Sequence, residues 1–203
     1  MKLPNNILLW IAIALLAIFG FRACTGYNNL VNVDETVKNQ WNNVQSAYQR
    51  RADLIPNLVN AVKGEASFEQ QTLIGTIEAR YKNLNSIKVD PANLSTENIA
   101  KFQQAQGEMS SALSRLMVVV ENYPKLQTNQ GFRNLQVELA GTENRINVAR
   151  NDFNAAVNKY NTQVRSFPMN LLSGMFGFAV KEGFKADEGA QTAPVVNFDS
   201  APK

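Results

Sequence analysis

At 203 residues, 45% hydrophobic and 18% charged, the chain is long enough for one well-cored domain and an anchor, with little left for a second domain. The net charge is only +3 and the basic residues are dispersed, which argues against a nucleic-acid partner. A single cysteine, Cys24, and no histidine exclude an intrachain disulfide and remove the commonest general base, transition-metal ligand and pH switch.

Residues 1–27 read as an N-terminal membrane anchor. Ile7 to Phe21 form an uninterrupted apolar run between Lys2 and Arg22. A helical span wants ~20 apolar residues, so the run is short. Leu3 and Ala23 to Tyr27 extend it, Arg22 can snorkel, and Trp10 and Tyr27 suit interfacial depth. A cleaved signal peptide has an apolar core of similar length, and Cys24 stands where an acylated cysteine would. Retention is favoured over both, because no clean small-x-small site follows the run and Arg22 is out of place before a lipidated cysteine. Lys2 and the amino terminus balance Arg22 and Lys38, so the positive-inside rule leaves the side of the membrane open.

Residues 28–168 carry four apolar stripes at helical spacing. The first is Leu30, Val33, Val37, Trp41, Val44, Tyr48, Ile55, Leu58 and Val62, with Gly64 as its stop. Pro56 inside it predicts a kink near Ala52. The second runs Leu73, Ile74, Ile77, Tyr81, Leu84 and stops before Asp90-Pro91. Ser95 or Thr96 caps the third, Ile99, Phe102, Met109, Leu113, Leu116, Val120 and Tyr123, which Pro124 closes. The fourth is Phe132, Leu135, Leu139, Thr142, Ile146, Ala149, Phe153, Ala156 and Tyr160, ending at Phe167-Pro168. No run alternates with period two. The predicted fold is all-α: a transmembrane helix followed by an elongated antiparallel four-helix bundle.

Arg51 falls within the first stripe, where an apolar residue belongs. Reflection through a turn at Gly64-Glu65 places Glu78 level with it, and the later turns bring Gln103 or Gln104 and the region of Asn147 to the same layer, with Glu143 nearby. The expected buried polar layer is therefore Arg51, Glu78, Glu143 and Asn147, fixing helix register; an internal ligand or ion site is the sharper reading. Arg50, Asp53, Asn57, Arg145 and Arg150 are candidate exposed partner contacts.

Four antiparallel helices, joined by three reversals, return the chain to the membrane, so residues 169–186 form an apolar, Gly-rich juxtamembrane segment. Leu171, Leu172, Met175, Phe176 and Phe178 either dip into the bilayer interface or pack on the end of the bundle. Residues 187–203, rich in Ala, Pro and polar residues, read as a disordered tail.

The run Gln49-Arg50-Arg51-Ala52-Asp53-Leu54-Ile55-Pro56-Asn57-Leu58-Val59 resembles the signature of the LemA family. So do Val62-Lys63-Gly64, Glu78-Ala79-Arg80, Glu121-Asn122-Tyr123-Pro124, Thr142-Glu143-Asn144-Arg145-Ile146, Tyr160-Asn161, Phe167-Pro168 and the stretch from Phe184 through Glu188-Gly189-Ala190 to Ala193-Pro194. Glu65-Ala66-Ser67-Phe68 departs from the histidine or tyrosine that the family often has after this glycine. The resemblance implies a bacterial membrane protein with one N-terminal span and a helical bundle, and brings no established activity.

The functional expectation is a membrane-anchored, non-enzymatic helical scaffold of the bacterial envelope, single-pass in the cell membrane. Its partners would be the membrane and another envelope or membrane protein, with no nucleic acid, small-molecule substrate, metal or cofactor. No P-loop or dinucleotide glycine pattern occurs, and serines such as Ser110-Ser111 have no histidine base. The alternative is a lipid-interacting protein that shapes or senses the bilayer through the segment after the bundle.

Overall fold

The computed structural model describes residues 5–65, 70–87, 89–91 and 94–185. Among them the chain forms six helices and no strand: α1 (Asn5–Lys63), α2 (Gln71–Ser86), α3 (Thr96–Val120), α4 (Pro124–Thr128), α5 (Gln130–Arg165) and α6 (Met169–Leu172). The tail expected to be disordered, 187–203, lies outside the described residues.

α1 is one helix of 59 residues, roughly 90 Å at ~1.5 Å per residue. Its N-terminal portion is long and apolar enough to cross a membrane, with a window of mean hydropathy 1.8 that the protein leaves entirely uncovered. The remainder presents its stripe inward. Every residue of it from Leu30 to Val62 is buried, Arg51 included. Pro56 lies within α1, and the helix continues past it to Lys63.

α5 packs along α1, and α2 packs on α3. Local chemistry sets the ends. The Ser95 Oγ accepts from Asn98 N–H at 3.2 Å, so the third stripe starts at Thr96, and Asn129 Oδ1 accepts from Phe132 N–H at 3.1 Å at the start of α5. Pro124 opens the short α4, where a missing N–H is tolerated.

Two apolar clusters fill the interior. The one beyond Arg51 is largely aliphatic, joining Ile55, Leu58 and Val62 of α1 to Ile74 and Ile77 of α2, Met109 and Leu116 of α3, and Phe132 of α5. The one nearer the anchor is aromatic. Trp41 lies 5.3 Å from Phe102, 5.2 Å from Phe153 and 5.8 Å from Phe184 between ring centroids. α2 ends at Ser86, ahead of Asp90-Pro91, and does not line this cluster. Val89 and Leu94 of the following connection do, and the Val89 carbonyl accepts from Gln45 Nε2 at 2.8 Å and Trp41 Nε1 at 3.4 Å.

The chain after α5 completes that cluster. α6 packs against both α5 and α1, and Met169 rests on Gly26, where a Cβ would meet its sulfur at 2.9 Å. Gly177, at φ +78°, then turns the chain into a strap. Along α1 the strap meets Tyr27 with Phe178, Asp34 with Lys181, and Trp41 with Phe184. Seven residues of helix, ~10.5 Å, thus match three residues of nearly extended chain, ~10 Å. The same repeat holds on α5. The Asn161 amide binds both the N–H and the C=O of Lys181, at 2.9 and 2.8 Å, and Asn154 does so for Phe184, at 2.8 and 3.2 Å. Two asparagines seven positions apart therefore act as a polar edge for the strap.

Gly183 is needed for this seat, because a Cβ there would collide with the Asn154 side chain, which two hydrogen bonds hold in place. Gly183→Ala should destabilise the protein by ~1–3 kcal/mol, as overpacking does, and unseat the strap. Hydrogen exchange at the Lys181 and Phe184 amides checks this: both should exchange faster than in the parent chain.

Candidate functional site

Arg51 is only 1% exposed and sits between the two apolar clusters. Its Nη1 donates to Ser110 Oγ at 2.7 Å and to Glu143 Oε2 at 3.1 Å. Its Nη2 donates to the Gln106 carbonyl at 3.3 Å and to Gln106 Oε1. The guanidinium carbon lies 5.0 Å from the centre of the Tyr48 ring. Three helices thus converge on one cation: Gln106 and Ser110 are one turn apart on α3, and Glu143 reaches in from α5. Glu143 is itself 49% exposed, so the neutralising charge stays wet while the arginine is dry. That geometry lowers the desolvation cost of a fully buried pair. Among the described residues no buried side-chain nitrogen or oxygen lacks a hydrogen-bond partner.

The layer differs from the expected set in two members. Glu78 is not in it; it lies on the surface and pairs with Lys63 at 2.6 Å. The reflection was misplaced because α1 ends at 63 and α2 begins at 71, which centres the turn on residue 67 and sets position 83, not 78, level with Arg51. Asn147 is also exposed, one turn past Glu143 and off the inward face. On α3 the contact is Gln106 in place of Gln103 or Gln104; Gln103 binds the Lys185 backbone instead.

Two open grooves flank the layer. One, of about 620 Å³ between α3 and α5, is lined by Arg51, Leu113, Met117, Leu139 and Glu143. The other, of about 680 Å³, is lined by Tyr48, Asp53, Leu84, Phe102 and Gln106. Of the candidate partner contacts, Asp53, Asn57 and Arg145 are exposed, with Asp53 accepting from Gln49 at 2.7 Å. Arg50 is exposed and pairs with Glu138 of α5 at 3.1 Å. Arg150 serves the strap: it donates to the Lys185 carbonyl at 3.3 Å and lies over the Phe184 ring.

The juxtamembrane residues divide. Leu171, Met175 and Phe176 are exposed, whereas Leu172 is half-buried and Phe178 packs against the aromatic cluster. The residues that sequence reasoning missed are Gln106 and Ser110 in the layer and Asn154 and Asn161 under the strap. Spacing did not single out the two asparagines, because Asn144, Asn151 and Asn158 repeat at the same interval of seven and are exposed. The available signal was the abundance of asparagine, a poor helix former, in a long helix.

A second charged cluster ties the strap to α1. Asp34 pairs with Lys38 at 2.9 Å and with Lys181 at 3.0 Å. Burial pushes its carboxyl pKa up, but the hydrogen bonds and charges of the two lysines outweigh that and hold it below the usual aspartate value. Tyr160 donates to the Ala179 carbonyl at 2.9 Å, and its pKa is pushed up to about 12, chiefly by burial and then by the Asp34 charge.

The geometry defines an all-α protein in which one long apolar N-terminal helix runs on into a helical bundle pinned by a buried arginine. The model of the LemA family matches residues 40–198, and the chain belongs to that family. It is 27% identical to magnetosome protein MamQ 2 of Paramagnetospirillum magneticum, over 95% of this chain and 76% of that protein. It is 26% identical to magnetosome protein MamQ of Magnetospirillum gryphiswaldense over the same shares, and 22% identical to protein LemA of Metamycoplasma hominis over 78% of this chain and 68% of that one.

Arg51→Ala should cost at least ~1–3 kcal/mol in unfolding free energy, since the buried Gln106 side chain loses its donor, while the solvated Glu143 is not left as a buried charge. Glu78→Gln removes only a surface pair and should change stability by less than ~1 kcal/mol; chemical denaturation compares the two. A pH series tests the second cluster. Because the folded pKa of Asp34 is depressed, its contribution is present above the unfolded value of ~3.9 and is lost as pH falls through the folded value. The stability gap between the parent chain and Asp34→Asn should therefore close on acidification below that unfolded value.

Proposed function

We propose that this LemA-family chain is a single-pass, membrane-anchored scaffold of the bacterial envelope, without catalytic activity, that presents its bundle to another envelope or membrane protein. The observation that carries this reading is the continuity of α1, which leads from the apolar N-terminal portion to the far end of the bundle as one hydrogen-bonded helix. A partner bound to the bundle would be held at a set distance and orientation from the bilayer. Relatives covering most of the chain are named as magnetosome proteins of two bacteria and as LemA of a third, which supports a bacterial setting.

The chemistry of the interior favours a structural role. Arg51 is committed to Ser110, Gln106 and Glu143, and Cys24 is on the anchor helix, away from the polar layer. Asn57 and Arg145, exposed on α1 and α5, are the positions we assign to partner contact.

A photo-crosslinking amino acid at Asn57 or Arg145, in cells, should trap a second membrane or envelope protein. Adducts confined to lipid or to other copies of the chain would overturn the scaffold reading. Labelling of a Cys24→Ser, Ser111→Cys chain by an impermeant thiol reagent in intact cells would place the bundle outside the cytoplasmic membrane, and protection until lysis would place it inside.

A further inference from the structure

The apolar run from Ile7 to Phe21 is fifteen residues, ~22 Å of helix against a hydrocarbon core of ~30 Å. Asn5 and Asn6 precede it, so the missing height falls chiefly on the other side, where ~8 Å of helix beyond Phe21 reaches Gly26 and Tyr27. This is the level at which α6 abuts α1: Met169 rests on Gly26, and Phe176 lies edge-on to Tyr27 at 5.1 Å between centroids.

The turn around α6 carries the apolar surface that the anchor lacks. Phe167 is 79% and Met175 80% exposed, and Leu171 and Phe176 are exposed with them. These side chains are not core residues of the bundle, in contrast to Met169, which is buried, and Phe178, which packs against the aromatic cluster. The patch adjoins α1 at Tyr27, which is exposed and meets Phe176, about one and a half turns beyond the end of the apolar run at Phe21. Exposed Arg22 and Arg165 border it, suited to acidic headgroups.

We propose that the α5–α6 turn is a second membrane contact: Phe167, Leu171, Met175 and Phe176 insert into the bilayer interface beside the anchor and complete its short apolar height. The occupant of the patch is lipid, because the patch begins where the anchor ends. The inference rests on reading α1 as a retained span, and it adds a one-sided wedge, since α6 lies on a single flank of α1. Such a contact fixes the rotation of the bundle about the membrane normal and displaces lipid in one leaflet only.

The test uses the full chain with Cys24→Ser, reconstituted in vesicles of phosphatidylethanolamine and phosphatidylglycerol. An environment-sensitive fluorophore is placed at Met175→Cys, with Leu15→Cys and Ser111→Cys as controls, and lipids brominated at different depths serve as quenchers. The expected result is strong quenching at 175 by shallow bromines, at 15 by deep bromines, and none at 111. Quenching at 15 with none at 175 would overturn the wedge and leave the span intact. No quenching at 15 would overturn the span and the wedge with it. Replacing Phe167, Leu171 and Phe176 by serine should abolish the quenching at 175 while leaving that at 15 unchanged.

Discussion

A guanidinium at 1% exposure has to find its partners at one height, and that requirement organises the bundle. Gln106 and Ser110 of α3 and Glu143 of α5 meet Arg51 in a single layer between two apolar clusters. The stripes alone are weaker guides, because a slip of seven residues, ~10.5 Å, nearly superposes a heptad-like stripe on itself. A slip of that size would carry Glu143 out of reach and leave a buried cation unpaired, a penalty of several kcal/mol. Apolar burial thus supplies the drive for association, and the arginine selects which association forms.

The layer also separates two different solutions to packing. Beyond it, the four long helices and the short α4, through Leu126, surround a largely aliphatic core. On the anchor side α2 is missing: its 16 residues span ~24 Å against ~54 Å for the 36 of α5. The uncovered groove is closed by large rings and by the strap, whose Phe184 stacks on Trp41. A strap has backbone groups that a helix would satisfy internally, and here Asn154, Asn161, Tyr160 and Gln103 satisfy them. The aromatic character of this cluster and the asparagine ladder are thus two consequences of one short helix.

Most of the bundle was legible because helical period is a local property. Each stripe residue of α1 from Leu30 to Val62 is buried, and so are Ile99, Phe102, Met109, Leu113, Leu116 and Val120 of α3. The anomaly at Arg51 followed from the same reading, which placed Glu143 near the layer but gave the ion pair to Glu78. What failed was the part that needed connection lengths. Placing the first reversal at Gly64-Glu65 moved the level of Arg51 by five positions on α2 and brought in Glu78, and the error carried on to Gln103 and Asn147. The strap was not legible because its apolar residues have no period of their own; their spacing is borrowed from the heptads of α1 and α5. Arg150, offered as a partner contact, is partly exposed but is engaged within the chain, since Phe184 and Lys185 lie in that strap.

The neck between anchor and bundle is where these features become mechanical. A domain tethered by a loop can tumble, but here the tether is the first helix of the bundle itself, unbroken from Asn5 to Lys63. Bending it would break backbone hydrogen bonds in the one stretch, residues 22–29, that precedes the first core residue, Leu30. That stretch is also where Gly26 lets α6 approach and where Tyr27 meets Phe176 and Phe178. The buttress therefore stands at the part of α1 between the end of its apolar run and its first core residue. Asp34, paired to Lys181 just above, locks the strap to the same helix face. The chain thus returns to its own starting level after three helical reversals, an outcome of pairing an even number of long helices antiparallel.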